Sequence, residues 1–188
     1  MYHQRQILCF ERLTLSEVQL QNYALFEIEH ILQKNNKSLN DYPPLPTPNH
    51  LLLKELGNRL MREELAYDTD KMLLEHQELH KELNNEQKRV YNVVLDSVHE
   101  DKGGLFFVYG AGGTGKTYLY KTIIARLRGE GKIVLAVASS SIAALLLPSG
   151  RTAHFRFKIP IDISDQSTCD IHQGTQLAEL ICKSSLII

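Results

Sequence analysis

The chain has 188 residues, of which 43% are hydrophobic and 23% charged, and its net charge is −1. This length suits one domain, or one domain with a helical extension, and excludes a machine of several domains. The composition excludes a chain that is disordered throughout, and the absence of any apolar run of roughly 18 to 20 residues predicts no membrane partner. Three cysteines are a sparse and odd set, which favours a reducing compartment over a disulfide framework.

The near-neutral charge conceals a difference between the two parts of the chain. Residues 1–82 carry 9 basic and 13 acidic side chains, whereas residues 83–188 carry 12 basic and 9 acidic ones. The second part is therefore the better candidate for binding an anionic ligand.

Residues 1–82 are predicted to form a helical lead-in. Ser16 and Gln19 have the spacing of a capping box, and apolar residues recur at helical intervals as far as Leu32. Four prolines within residues 42–48 predict an extended connector. Two more helices are predicted, one from Asn49 with a leucine-rich face and one from near Asp70.

Two pairs of residues in the chain have spacings that are found in metal sites. His76 and His80 lie four residues apart on a predicted helix, but the acid between them stands one position later than in the zinc motif H-E-x-x-H. A solvated helix face is the favoured interpretation. Cys169 and His172 lack a second pair of ligands nearby, so we interpret them as ordinary residues.

From Leu83 onward, helix and strand patterns alternate. Asn84 and Gln87 can cap a helix with a valine-rich face. Residues 105–109 and 132–138 have the apolar, β-rich composition of buried parallel strands, and residues 186–188 begin a third strand. Helical patterns at residues 118–127 and 142–147 separate these strands. The order predicts an α/β fold with a parallel sheet.

The segment between the first predicted strand and the helix that follows it fits the phosphate-loop pattern G-x-x-x-x-G-K-[ST] at every fixed position. Its glycines let successive backbone N–H groups point at phosphates, and the helix adds the positive end of its dipole. Lys116 supplies a cation to the β- and γ-phosphates, and the Thr117 hydroxyl can ligate Mg²⁺. The predicted nucleotide-binding residues of the loop are Gly110, Ala111, Gly112, Gly113, Thr114, Gly115, Lys116 and Thr117.

A run of three serines, Ser139, Ser140 and Ser141, follows the second predicted strand and opens a helix. Their hydroxyl and N–H groups can hold a phosphate oxygen. Simple helix capping is an equal or better interpretation from the residues alone.

These motifs, in this order, resemble the amino-terminal motor domain of the Pif-type (petite integration frequency) DNA helicases. The resemblance rests on residues 83–87, the phosphate loop, residues 134–144 and residues 150–154. The sequence Arg-Phe-Lys-Ile-Pro at residues 156–160 resembles the plant branch of the family, which includes the helicase domains of Helitron transposons. The resemblance implies part of a RecA-like P-loop NTPase motor domain over residues 83–188.

The resemblance also implies roles for particular residues. Gln87 matches the glutamine that recognises adenine, since an amide can pair with both a donor and an acceptor. The three serines match the motif that grips the backbone of single-stranded DNA, and His154 and Arg156 fall in the segment that continues this contact. Lys116 is the implied catalytic cation.

The family's activity completes the expectation. It couples ATP hydrolysis, with Mg²⁺, to 5′-to-3′ movement on DNA, so the implied partners are single-stranded DNA and duplex junctions. The implied processes are DNA repair, recombination and telomere maintenance, and the implied compartment is the nucleus, with the mitochondrion as the alternative.

Three features depart from the family pattern. Ser141 stands where glycine is usual, and Phe155 stands where serine is common, which replaces a possible phosphate donor with a ring. The family strand that residues 185–188 resemble leads directly into an acid that holds Mg²⁺ and an acid that orients water, whereas the sequence ends at Ile188. We therefore expect a truncated motor domain that at most binds nucleotide. The alternative is a noncatalytic module for nucleotide or single-stranded DNA, or a gene relic.

Overall fold

A computed structural model describes residues 16–33, 35, 37–49 and 57–188. The described residues from Leu60 to Ile188 form one compact unit, and those from Ser16 to Arg59 belong to another. Most of the helix predicted from Asn49 falls on residues 50–56 and so lies outside the described residues. No helix in the described part of the chain combines the length and apolarity needed to cross a membrane.

The smaller unit is built on helix α1 (Glu17–Gln33). The predicted capping box is confirmed, because the Ser16 N–H donates to Gln19 Oε1 at 2.9 Å and the Gln19 N–H donates to Ser16 Oγ at 3.3 Å. A short 3₁₀ helix (Leu39–Asp41) follows, and its Leu39 N–H donates to the Glu29 carboxylate at 2.6 Å. Residues 42–48 contain neither helix nor strand, but the extended connector predicted there begins with a turn, in which the Leu45 N–H donates to the Tyr42 carbonyl oxygen at 2.9 Å.

The larger unit alternates helices with short strands. The predicted helices near Asp70, Asn84, Tyr118 and Ile142 are confirmed as α3, α4, α5 and α6, whereas α2, α7 and α8 were not predicted. The helices are α2 (Arg59–Leu65), α3 (Thr69–Lys81), α4 (Asn85–His99), α5 (Lys116–Gly129), α6 (Ser141–Leu145), α7 (Ala153–Phe157) and α8 (Gln176–Lys183). The strands are β1 (Val134–Leu135), β2 (Val137–Ala138), β3 (Arg151–Thr152) and β4 (Leu186–Ile187).

The predicted parallel pairing is confirmed. Strand β1 pairs with β4, and β2 pairs with β3, both in parallel. The single strand predicted over residues 132–138 is divided at Ala136, whose carbonyl oxygen accepts the Arg151 N–H at 3.0 Å. The next N–H, that of Val137, donates to the Ile188 carbonyl oxygen at 2.6 Å. This central stretch therefore has parallel neighbours on both sides.

Side chains of the central stretch alternate between two apolar clusters. Val134 and Ala136 pack in the cluster that α4 and α5 contribute to, while Ile133 and Leu135 pack with Leu180 of α8. The period-two alternation of a strand thus places helices on both of its faces. This layering makes the larger unit an α/β fold.

The strand predicted at residues 105–109 is wrong. These residues form no strand; Leu105 is fully exposed, and Phe107 and Tyr109 are 89% and 90% exposed. A β-rich composition states only that a segment suits a pleated surface, whereas strand formation needs a neighbouring strand to take its backbone hydrogen bonds. None of the four strands in the described residues pairs with this segment.

Candidate nucleotide and nucleic-acid site

The phosphate loop leads directly into α5, which has 14 residues. Gly113 and Gly115 have φ values of +80° and +78°, a left-handed conformation that other residues rarely adopt. Gly115 is the N-cap of α5 and offers no side-chain cap to the first N–H groups of the helix. These N–H groups and the positive end of the helix dipole form a site suited to an anion.

Lys116 lies inside the loop. Its ammonium group donates to the carbonyl oxygens of Gly110 and Ala111 at 2.6 and 2.9 Å, and the Thr114 hydroxyl donates to the same Ala111 oxygen at 2.9 Å. The loop is therefore curled around its cation. The residues present fit a nucleotide phosphate, because donors and a positive charge converge here and the glycines leave the backbone uncovered.

Gln87 lies beside this loop although 27 residues separate it from Thr114. Its amide oxygen accepts the Asn84 N–H at 3.0 Å, and the Gln87 N–H donates to Asn84 Oδ1 at 2.8 Å, which forms the predicted capping box of α4. Its Nε2 donates to the Thr114 carbonyl oxygen at 3.3 Å. A Cβ atom at Gly115 would lie 2.6 Å from Nε2, so glycine permits this close approach.

Gln87 and the loop line one open cleft with a volume of about 550 Å³. Sequence reasoning missed two of its residues, Glu82 and Tyr118. The Tyr118 hydroxyl donates to the Leu79 carbonyl oxygen at 3.0 Å and to Glu82 Oε2 at 3.3 Å, and this contact joins α5 to the end of α3. Burial, and then the Glu82 carboxylate, raise the pKa of this hydroxyl above its usual value. The available sequence signal for Tyr118 was its position in the first turn of α5, directly after the phosphate loop.

A second group of predicted residues collects at one edge of the sheet. The three serines follow β2, and His154 follows β3, so the parallel pairing of β2 and β3 brings their carboxyl ends together. Ser140 Oγ accepts the Ala143 N–H at 3.2 Å and caps α6, as the simpler interpretation predicted. Ser139, Ser141 and His154 are exposed.

A comparison with models of protein families shows which family the chain is related to. Residues 82–188, more than half of the chain, match the model of the PIF1-like helicase family. The chain belongs to the PIF1-like helicase family. The match begins at the rim of the cleft and includes Gln87, the phosphate loop, both parallel strand pairs and the serine segment.

Curated relatives of this PIF1-like chain come from Trypanosoma brucei brucei. The chain is 35% identical over 79 residues to ATP-dependent DNA helicase PIF4, a stretch that spans 42% of this chain and 9% of that protein. It is 36% identical over 73 residues to ATP-dependent DNA helicase PIF1, which spans 39% of this chain and 7% of that protein. The similarity thus covers a small share of each relative.

Arg156 of this PIF1-like chain was predicted to contact DNA, but its side chain is buried in the structure. The guanidinium is 6% exposed, and Nη2 donates to Glu64 Oε1 at 2.6 Å. The physical reason is that α7 directs Arg156 inward, while its neighbours His154 and Phe155 remain exposed. The sequence did not reveal this, because the acidic partner lies 92 residues away.

Glu64 is the centre of a buried ionic cluster. It also lies 3.5 Å from Nη2 of Arg128. Nη1 of Arg128 donates to the Pro148 carbonyl oxygen at 3.0 Å, and Nη2 donates to the Val134 carbonyl oxygen at 3.2 Å. The Tyr67 ring stacks against Arg128, with 4.1 Å between the ring centroid and the guanidinium carbon. The cluster joins α2 to α5 and α7. Helix α2, which lies before the matched residues 82–188, therefore takes part in the packing of the PIF1-like region.

The histidine pair on α3 also differs from expectation. His76 is only 8% exposed, and its Nε2 is hydrogen-bonded to the Tyr91 hydroxyl at 2.7 Å, so the predicted solvated face is wrong at this position. Burial lowers the pKa of His76, and the nearby Arg126 and His80 act in the same direction. Across the described residues, no three His, Cys, Asp or Glu side chains form a group that could hold a metal ion.

Proposed function

We propose that the chain is the nucleotide-binding part of an ATP-dependent 5′-to-3′ DNA helicase of the plant or Helitron-like branch. In this proposal, residues 83–188 are part of a RecA-like motor domain, and the full protein couples ATP hydrolysis to unwinding at DNA junctions. Membership of the PIF1-like helicase family supports the proposal. So does the sequence of residues 156–160.

The observation that carries the proposal is the convergence of Gln87 and Lys116 on one loop. Lys116 holds two loop carbonyls, and the Gln87 amide contacts Thr114 on the same loop. In the nucleotide-bound protein, Lys116 would exchange these carbonyls for phosphate oxygens, and the N–H groups at the start of α5 would donate to phosphate. The Thr117 hydroxyl would hold Mg²⁺, which neutralises charge on the β- and γ-phosphates when bound.

The DNA part of the proposal rests on the edge formed by β2 and β3. Ser139, Ser141 and His154 are exposed side by side at the carboxyl ends of two paired strands. Hydroxyl and imidazole groups there can donate to the phosphates of a single strand. Nuclear DNA is the proposed substrate pool, and mitochondrial DNA the alternative.

A binding measurement tests the nucleotide site. Lys116→Ala is expected to weaken binding of a fluorescent ATP analogue by about 10- to 100-fold, because a charge-assisted hydrogen bond to phosphate contributes roughly 1.5 to 3 kcal/mol. Lys121→Ala, on the same helix but outside the loop, is the matched control and should bind as the wild type does. Equal affinity of the wild type and Lys116→Ala would contradict the proposal.

A second measurement separates binding from catalysis. DNA-stimulated release of phosphate from ATP by the wild-type chain, lost in Lys116→Ala, would support a hydrolysing motor. Tight binding of the analogue without any release of phosphate would limit the role of this chain by itself to nucleotide binding. The two outcomes differ because the loop supplies positioning and charge, whereas hydrolysis also needs groups that activate water.

A further inference from the structure

Phe155 is an aromatic side chain that the packing of the larger unit does not use. It lies on α7 directly after β3, and 60% of it is exposed. Two residues further on, Phe157 packs in the apolar cluster with Leu135 and Leu180, so α7 presents one phenylalanine to the core and one to solvent. The Phe155 N–H donates to the Thr152 hydroxyl at 3.4 Å, which fixes the start of the short helix that carries the ring.

Two cations lie over this exposed ring, each within the range of a cation–π contact. The guanidinium carbon of Arg151 and the ammonium nitrogen of Lys158 are each 5.5 Å from the ring centroid. The carboxylate of Glu63 lies 4.0 Å from the guanidinium of Arg151. An exposed ring flanked by cations is the combination with which single-stranded nucleic acid is held, because bases stack on the ring and phosphates meet the charges.

The position of the ring within the fold agrees with this chemistry. Phe155 directly follows His154, at the edge where β2 and β3 end and where Ser139 and Ser141 are exposed. A strand of nucleic acid that meets those polar groups therefore passes the ring as well.

We propose that Phe155 is a base-stacking platform for single-stranded DNA, with Arg151 and Lys158 moving from the ring to the phosphates on either side of the stacked base. The inference rests on the proposed DNA-binding function. It adds to that function a residue that binds the base, because a phenyl ring has no group that can hold a phosphate. A duplex would not use the platform, because its bases are already stacked on one another. The recognition is tolerant of sequence, since every base offers a flat face.

The absence of tryptophan from the chain makes a direct test possible. In Phe155→Trp, the introduced indole is the sole tryptophan, and its fluorescence should be quenched when an oligothymidine strand is added. The affinity of this variant, measured by anisotropy of a labelled strand, should stay within about threefold of the wild type, because the indole also stacks. Phe155→Ala should weaken binding by about 5- to 100-fold, the loss expected for one base stacked on an aromatic ring.

Two controls make the result specific to stacking. On a strand of equal length without bases, the wild type and Phe155→Ala should bind equally. Phe107→Ala removes a phenylalanine that is 89% exposed outside this edge and should bind oligothymidine as the wild type does. Lys158→Ala should lower the salt dependence of binding by about one unit of slope, as expected for the loss of one phosphate contact.

Each other outcome overturns the platform. Unchanged tryptophan fluorescence in a bound complex would show that no base stacks on this position. An equal loss of affinity for normal and abasic strands would assign the effect to the backbone instead of the base. If the wild type binds no single-stranded DNA, the DNA part of the proposed function fails together with the platform. Dependence of nucleotide binding on Lys116, measured on the same protein, would still support the nucleotide part.

Discussion

The side-chain amide of Gln87 makes two hydrogen bonds and has a donor and an acceptor position left for a ligand. Its amide oxygen accepts the Asn84 N–H, and its nitrogen donates to the Thr114 carbonyl oxygen. An amide oxygen has two acceptor positions and an amide nitrogen has two N–H groups. One acceptor and one donor therefore remain, which is the pair that the edge of adenine requires. In the proposed nucleotide site, Gln87 would contact the adenine base without leaving the helix cap.

His76 is the residue whose titration the fold opposes. Its imidazole is buried against Tyr91, and burial, Arg126 and His80 lower its pKa, while Glu130 acts in the opposite direction. The folded protein therefore holds His76 neutral at a pH where the unfolded chain, with a histidine pKa near 6.5, already binds a proton. Its contribution to stability is complete above about pH 6.5 and decreases as the pH falls below that value.

The expected result is an acid-dependent loss of stability. Between pH 7 and pH 5, the free energy of unfolding in urea should decrease, with a contribution from His76 of at most about 1.4 kcal/mol per pH unit. His76→Phe should show a smaller decrease over the same range, whereas His172→Gln, which alters an exposed histidine, should follow the wild type. Identical pH profiles for the wild type and His76→Phe would contradict the assignment.

At the scale of elements, the cluster of Glu64, Arg128 and Arg156 fixes three helices to one another. The three side chains are between 1% and 6% exposed, so removing the anion leaves two guanidinium groups buried without a counter-charge. Glu64→Gln should therefore lower the free energy of unfolding by about 3 to 5 kcal/mol. Glu78→Gln, which breaks an exposed pair with Lys81, should change it by less than about 1 kcal/mol.

Substitution of Arg156 tests whether its guanidinium stabilises the fold or contacts DNA. If the guanidinium serves the cluster, Arg156→Ala should unfold at lower urea concentration in the absence of DNA. A variant with wild-type stability and a selective loss of DNA affinity would restore the role that the family resemblance implied for Arg156. The comparison needs only unfolding curves and one DNA titration for each variant.

Local patterns predicted the elements whose signals lie within a few residues of each other. The capping boxes at Ser16 and Asn84 and the phosphate loop each depend on spacings of three to seven residues, and the structure contains all three. The Glu64–Arg156 pair spans 92 residues, and the burial of His76 depends on Tyr91 of a different helix. No local pattern encodes such partners, which is why the ionic cluster, the burial of His76 and the lack of a partner strand for residues 105–109 within the described residues could not be predicted.

At the scale of the whole molecule, residues 105–109 have the apolar composition of a buried strand but are largely exposed. Their exposure alternates, because Phe106 is 38% exposed and Val108 is half-buried, while Leu105, Phe107 and Tyr109 are almost fully exposed. An apolar cavity of about 400 Å³ is lined by Leu105, Phe106 and Val108 together with residues 186–188. The segment thus has the two faces of a strand but no strand neighbour within the described residues. Its apolar side chains, and backbone groups that have no hydrogen-bond partner among the described residues, form a surface on which copies of the chain can associate.

Self-association through this segment is the expected behaviour of the isolated chain. Sedimentation velocity over a range of concentrations should show assemblies in the wild type, and the double variant Leu105→Lys/Phe107→Lys should shift the distribution towards monomer, because charge on an exposed strand opposes edge pairing. Ile161→Lys, at a position that is 91% exposed elsewhere in the unit, adds a charge without altering the segment and should leave the assemblies unchanged. Retained binding of an ATP analogue would show that the double variant is folded. A wild type that stays monomeric at every concentration would contradict the prediction.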